Sequence, residues 1–275
     1  MDLGLMVNIF DGTDPSVAFS EARASGFSHG QVNVYLPKVT PGEVRQIALA
    51  ASGESFHVDA VGCYINPLRH NESGLSGVDI SDWRCVAENM GMMNGVERIV
   101  CWSGTLGKTL ATPNLLNHQE DTFNRLYMGL HVMQELVRGL PVEILLEPYS
   151  AHVLHDAASC CRMVEKFTNG QVKIVLDAPN IISHKDFSHR NAVLQAHVAA
   201  LAPVVGLVHL KDMARDENDH RKFPPAGAGT LNYSAYISAI CERVPEVPFI
   251  LDNVNTCEEA IAARDFVNTV AALTL

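Results

Sequence analysis

Val142-Glu143-Ile144-Leu145-Leu146-Glu147-Pro148 is a short apolar run that stops on a carboxylate. Val172-Lys173-Ile174-Val175-Leu176-Asp177 repeats the pattern 30 residues later. Val204–Leu210 follows, with His209 near its end 32 residues on, and Phe249–Asn253 carries Asp252 after another 43. Runs this short and apolar, with β-branched residues, read as strands buried on both faces. The first two spacings are one strand–helix unit each. The excess in the third falls in Met213–Gly229.

Working outward, the same rhythm fills the chain. Further strand candidates are Leu3–Phe10, His29–Leu36, His57–Ile65 and Arg98–Trp102. Helix candidates lie between them: Pro15–Ser25, Pro41–Ala51, Ser81–Met92, Gln119–Arg138, Ala151–Thr168, Ser188–Ala202, Asn232–Arg243 and Cys257–Leu273. Thr40 before Pro41 is a start signal, since proline suits the first helical position. Gly139-Leu140-Pro141 is a stop signal. Eight strands alternating with eight helices imply parallel strands joined by right-handed crossovers. The expectation is an α/β fold, one (β/α)8 barrel spanning residues 1–275 as a single domain. A doubly wound open sheet would carry a glycine-rich phosphate turn after its first strand. Asn8-Ile9-Phe10-Asp11-Gly12-Thr13 is not such a turn.

Composition narrows the function. Hydrophobic residues make up 47% and charged residues 19% of 275, enough to build a large core. A formal net charge of -11 repels a phosphate backbone, so no nucleic-acid partner is expected. No apolar stretch approaches the ~20 residues of a membrane span, and no signal peptide is read at the start. The 7 cysteines include no C-x-x-C pair and read as reduced thiols in a cytoplasmic protein.

Glu147, Asp177, His209 and Asp252 each close a strand, and strand ends of a barrel face a common axis. Four such groups converge although no two are near in sequence. Three carboxylates and an imidazole suit one divalent metal ion. The oxygen-rich set favours Mn²⁺ or Mg²⁺, with Co²⁺ or Zn²⁺ as further candidates. Taken singly, an acid at a strand end is as often the N-cap of the next helix.

Leu146-Glu147-Pro148, Leu176-Asp177-Ala178-Pro179-Asn180, His209-Leu210-Lys211-Asp212 and Pro225-Ala226-Gly227-Ala228-Gly229 together resemble the sugar phosphate isomerase/epimerase group of the xylose-isomerase-like TIM barrels. Tyr64-Ile65-Asn66-Pro67-Leu68-Arg69 resembles the same group. The resemblance implies that Glu147, Asp177, His209 and Asp252 bind the metal, that Glu147 and Asp252 serve as acid/base groups, and that Arg215 binds substrate. It implies isomerisation or epimerisation of a small sugar, sugar phosphate or related polyhydroxy ketone through an enediolate. Dehydration of an inosose or 3-dehydroshikimate type of substrate at the same metal is the first alternative. A non-catalytic barrel subunit is the second. Two positions depart from the group. The last acid is usually Glu and here is Asp252, one methylene shorter. A frequent His three residues after Asp177 is here Asn180, which can hydrogen-bond a hydroxyl but cannot shuttle a proton.

Around these lie Lys211 as a substrate contact and Tyr64 and Trp102 as an apolar wall for a sugar ring. Gly227 and Gly229 read either as backbone donors to an anion or as a turn. The charge-dense Met213–Lys222 reads as a lid carrying Arg215 or Arg221, or as a solvated loop. Asp212 reads as the orienting partner of a ligand or as a turn cap. His57 reads as structural, at the bottom of the barrel, and His152 as an ordinary helix or loop histidine. The expected partner is a small carbohydrate, with self-association possible.

Overall fold

The fold, a computed structural model, describes residues 1–70, 77–244 and 246–274. Eight parallel strands close on themselves: β1 (Gly4–Phe10), β2 (His29–Tyr35), β3 (His57–Gly62), β4 (Arg98–Trp102), β5 (Glu143–Glu147), β6 (Val172–Leu176), β7 (Val205–Leu210) and β10 (Phe249–Leu251). β8 (Ala214–Arg215) and β9 (Arg221–Lys222) form a separate antiparallel hairpin after β7. The molecule is a TIM barrel, as the alternation of apolar runs predicts.

Helices α1 (Pro15–Ala24), α2 (Pro41–Gly53), α3 (Ile80–Asn89), α4 (Glu120–Leu136), α5 (Ala157–Val164), α6 (Ala178–Ile181), α7 (Arg190–Leu201), α8 (Tyr233–Arg243) and α9 (Cys257–Thr274) follow the strands. Local chemistry sets their ends. Thr40 and Glu43 form a reciprocal capping box at α2, with Pro41 in the first turn as expected. α5 is shorter than the sequence suggests. Asp156 caps it by accepting from the Ser159 amide, so 151–155 becomes a loop over the barrel mouth.

Two apolar cores result, because alternate residues of a barrel strand face opposite ways. Outward residues such as Val34, Ile99, Leu146 and Leu176 pack beneath the helices. Inward residues Ala60, Val100, Leu145, Val175, Leu207 and Ile250 fill the interior with Met6. Above this plug the inward positions become Glu147 and His209, while the bottom carries His29, Arg98, Glu143 and Lys173. The plug closes the barrel, so chemistry is confined to its mouth.

Candidate active site and metal centre

The mouth is a cleft of about 460 Å³ whose lining includes Phe10, Tyr35, Tyr64, Trp102, Glu147, Asn180, Lys211, Phe223 and Asp252. Its two halves differ. On the β1–β4 side, aromatic rings form an arc: Phe10 stacks on Tyr35 at 5.2 Å, Tyr35 on Tyr64 at 6.0 Å, and Tyr64 meets Trp102 at 4.4 Å. On the other side stand Glu147, Asp252 and Lys211, with Asp177 and His209 fully buried next to them.

Glu147, Asp177 and His209 place one ligand atom each within 4.8 Å of one another, all buried. His209 Nδ1 is 3.6 Å from both Glu147 Oε2 and Asp177 Oδ2, too long for a hydrogen bond. The atoms are held by a chain of polar contacts. His209 Nε2 meets Gln31 Oε1 at 3.0 Å. Gln31 Nε2 donates to Asn33 Oδ1 and Tyr64 Oη, and Tyr64 Oη donates to Glu147 Oε2 at 2.9 Å. Since Gln31 presents its oxygen, His209 must carry its proton on Nε2, which leaves the Nδ1 lone pair for a cation. His209 Nδ1 and Asp177 Oδ1 are buried with no hydrogen-bond partner. Such orphaned atoms are costly without a partner, and a bound cation supplies one. The donor set therefore fits a divalent metal.

Electrostatics point the same way. Burial, opposed by His209 and Lys211 but reinforced by Asp177 and Asp252, pushes Glu147 up to about 7. Burial works to keep His209 neutral, yet Asp177, Glu147 and Asp252 outweigh it and raise its pKa. The three acids make this pocket hold positive charge wherever it can find it.

Asp252 is placed differently. Its Oδ2 lies 2.7 Å from Lys211 Nζ, and Lys211 Nζ is also 2.6 Å from Asp177 Oδ2. Burial alone would raise the Asp252 pKa, but Lys211 and His209 hold it below the ordinary carboxylate range. Asn180 Nδ2 donates to Glu147 Oε1 and Asp177 Oδ2, so here it steadies the two acids. Tyr64, Trp102, Asn180 and Lys211 all face the cleft.

Arg215 is not among the residues lining the cleft. Its guanidinium binds Asp219 and the His184 carbonyl and lies 4.4 Å over Phe187. Arg221 sits nearer, over the rings of Tyr149 and Phe223, which line the mouth. Met213–Lys222 is thus a pinned hairpin, tied down by the long side chains that its charge density supplied. Gly227 and Gly229 act in packing. Gly227 has φ +87° against the Phe266 ring, and a Cβ on Gly229 would lie 2.3 Å from Asp212 Oδ1. Asp212 caps that turn by accepting from the amides of Met213 and Leu231.

Several residues of the site escaped the sequence reading. Gln31, Asn33 and Asn8 orient the centre, yet they sit in strands read only as apolar runs. Their signal was present: Gln31, Asn33 and Tyr35 occupy alternate positions of β2, the period of one strand face. His152 is fully buried in the 151–155 loop, not on a helix. It meets Ser103 Oγ and the Leu110 carbonyl, and burial lowers its pKa to about 4.

A family model described as xylose isomerase-like TIM barrel matches residues 19–264. The chain belongs to that family. This xylose isomerase-like barrel resembles solved structures over nearly its whole length. An apo 3-keto-D-glucoside 4-epimerase from E. coli shares 14% identity at a TM-score of 0.72, covering 98% of this chain and 99% of the other. A D-psicose 3-epimerase from Clostridium cellulolyticum H10, solved with D-tagatose, shares 12% at 0.70, with 98% and 99% covered. A xylose isomerase-like protein from Mycobacterium smegmatis in complex with magnesium shares 11% at 0.70, with 99% and 97% covered. At these identities the likeness shows the fold. No curated protein matches the sequence.

Proposed function

We propose that this barrel is a divalent-metal-dependent isomerase or epimerase of a small sugar or related polyhydroxy ketone, working in the cytoplasm. The observation that carries the reading is the buried convergence of Glu147, Asp177 and His209, with Glu147 itself lining a cleft that has one aromatic wall. Sugar epimerases among the structural neighbours support it. A bound divalent cation, with Mn²⁺ or Mg²⁺ favoured by the oxygen donors, would supply the Lewis acid that draws charge onto a carbonyl and its neighbouring hydroxyl.

The chain's own residues do the rest. The rings of Tyr64 and Trp102 offer an apolar face to the carbons of a sugar. Glu147 takes the proton from the hydroxyl-bearing carbon next to the carbonyl. Its carboxyl, kept ionised by a bound divalent cation, can accept that proton and then return it. Tyr64 and Asn180 each hold one of its oxygens, which fixes its aim. Asp252 lines the same cleft as the second acid, with a shorter arm and one oxygen on Lys211. Arg215 would reach a substrate only after leaving Asp219 and His184.

The test is a panel of ketoses and aldoses incubated with protein and Mn²⁺ in D₂O, followed by NMR. Loss of the α-proton signal with formation of an isomer or epimer is expected. An unsaturated product would instead indicate a dehydratase, and no exchange in any sugar would refute the reading.

A further inference from the structure

Resting on a divalent cation at this centre, we propose that Glu147, Asp177 and His209 are its only protein ligands. Asp252, at the position where a fourth ligand is expected, is the fixed counter-ion of Lys211.

Both oxygens of Asp252 are engaged. Oδ2 takes the Lys211 ammonium at 2.7 Å, and Oδ1 accepts the Asn253 amide at 2.7 Å. The second contact is built into the backbone. Asn253 itself adopts φ 57°, in the left-handed region, so the chain turns sharply just after this contact. Its own amide nitrogen is tied to the Phe223 carbonyl at 2.7 Å. Moving Asp252 onto a metal would therefore break a charged pair and a hydrogen bond in a buried place. The shorter side chain adds to the cost, since aspartate lacks the methylene that would lengthen its reach.

Two of the other three residues keep an atom free, and the third, Glu147, gives its oxygens only to the neutral donors Tyr64 and Asn180. His209 Nδ1 and Asp177 Oδ1 are buried and without partners. Among the described residues, only Glu147, Asp177 and His209 form a group whose ligand atoms lie together. Charge agrees with the count. Three ionised carboxylates and one ammonium leave two negative charges, which one divalent cation cancels. Lys211 thus takes over the neutralising task for one acid, and the loss of a ligand costs no charge balance. With three protein ligands the cation keeps open positions toward the cleft, where two neighbouring substrate oxygens can bind together.

The test is a crystal structure of the wild-type protein with Mn²⁺, located by its anomalous signal. The expected result is Mn²⁺ within about 2.4 Å of Glu147, Asp177 and His209 atoms, with Asp252 still on Lys211. An Asp252 oxygen inside that distance overturns the inference while leaving the proposed function standing. Absence of Mn²⁺ from the centre overturns both. Calorimetric titration with Mn²⁺ alone gives a second readout. The paired variant Lys211→Met/Asp252→Asn should bind one Mn²⁺ within about tenfold of wild type, since it removes a neutral pair. Asp177→Asn should weaken binding by about a hundredfold or more. A paired variant as weak as Asp177→Asn refutes the counter-ion role.

Discussion

Glu147 is the residue on which most of the site depends. It closes an apolar strand, contributes to the cation group, and is gripped through both oxygens by Tyr64 and Asn180. Glutamine there would keep the length and the contact with Asn180 Nδ2 while losing the ability to accept a proton. Glu147→Gln should slow exchange of the substrate α-proton by roughly 10²–10⁴-fold, the usual worth of a general base. Exchange at the wild-type rate would remove Glu147 from that role. Glu147 stood out in the sequence because it is one of four polar residues closing consecutive apolar runs, where a lone acid would read equally well as an N-cap. The grip on it did not stand out. Gln31 and Tyr64 lie 33 residues apart, and only barrel closure shows that one amide faces both a phenol and an imidazole.

At the scale of elements, the β8–β9 hairpin shows how charge can mislead. Met213–Lys222 has few apolar residues, which suggests a loose segment. Its order comes from polar contacts that sequence does not display: Arg215 to the His184 carbonyl, and Arg221 to Ile182 and Ser150. His184 and Ile182 lie in the segment after β6, one strand–helix unit away, and Ser150 in the segment after β5. Arg215→Ala removes the carbonyl contact and the Phe187 stacking, a loss of about 1 kcal/mol because the Asp219 pair is largely exposed. Amide hydrogen exchange in 214–222 should quicken roughly fivefold, with the barrel strands unchanged. Unaltered protection would show that the hairpin is held by other means. The strands were readable for the opposite reason: a strand buried on both faces has no polar alternative to hide behind.

The whole molecule is polarised, with charge at both ends of an apolar plug. At the bottom, His29 Nδ1 lies 2.5 Å from Asp59, and Glu143 pairs with Arg98 and Lys173. The hydrogen bond to Asp59, against the opposing effect of burial and helped by the charges of Asp59 and Asp2, raises the His29 pKa above 6.5. A folded state that holds this proton more tightly gains stability in full below 6.5. It loses that gain as pH rises through the higher folded value. Urea unfolding across this window should show wild type losing more stability with rising pH than His29→Gln. Parallel pH profiles for the two proteins would show that the pair contributes nothing. Of the bottom charges only His57 could be placed there from the sequence, because His29, Asp59, Arg98, Glu143 and Lys173 belong to runs that simply read as strands.

The arc of rings at the mouth also makes this barrel a light-emitting reporter of its own occupancy. The chain has two tryptophans. Trp83 is sealed from solvent, whereas Trp102 lines the cleft, in contact with Tyr64 and edge-on to His152. That imidazole stays uncharged above about pH 4, so it adds no changing field near the indole. A molecule settling against Trp102 displaces water from one emitter and leaves the other as a constant background. Ultraviolet fluorescence of the unlabelled protein, with Trp83→Phe to isolate the signal, can therefore rank candidate sugars by occupancy before any turnover is measured.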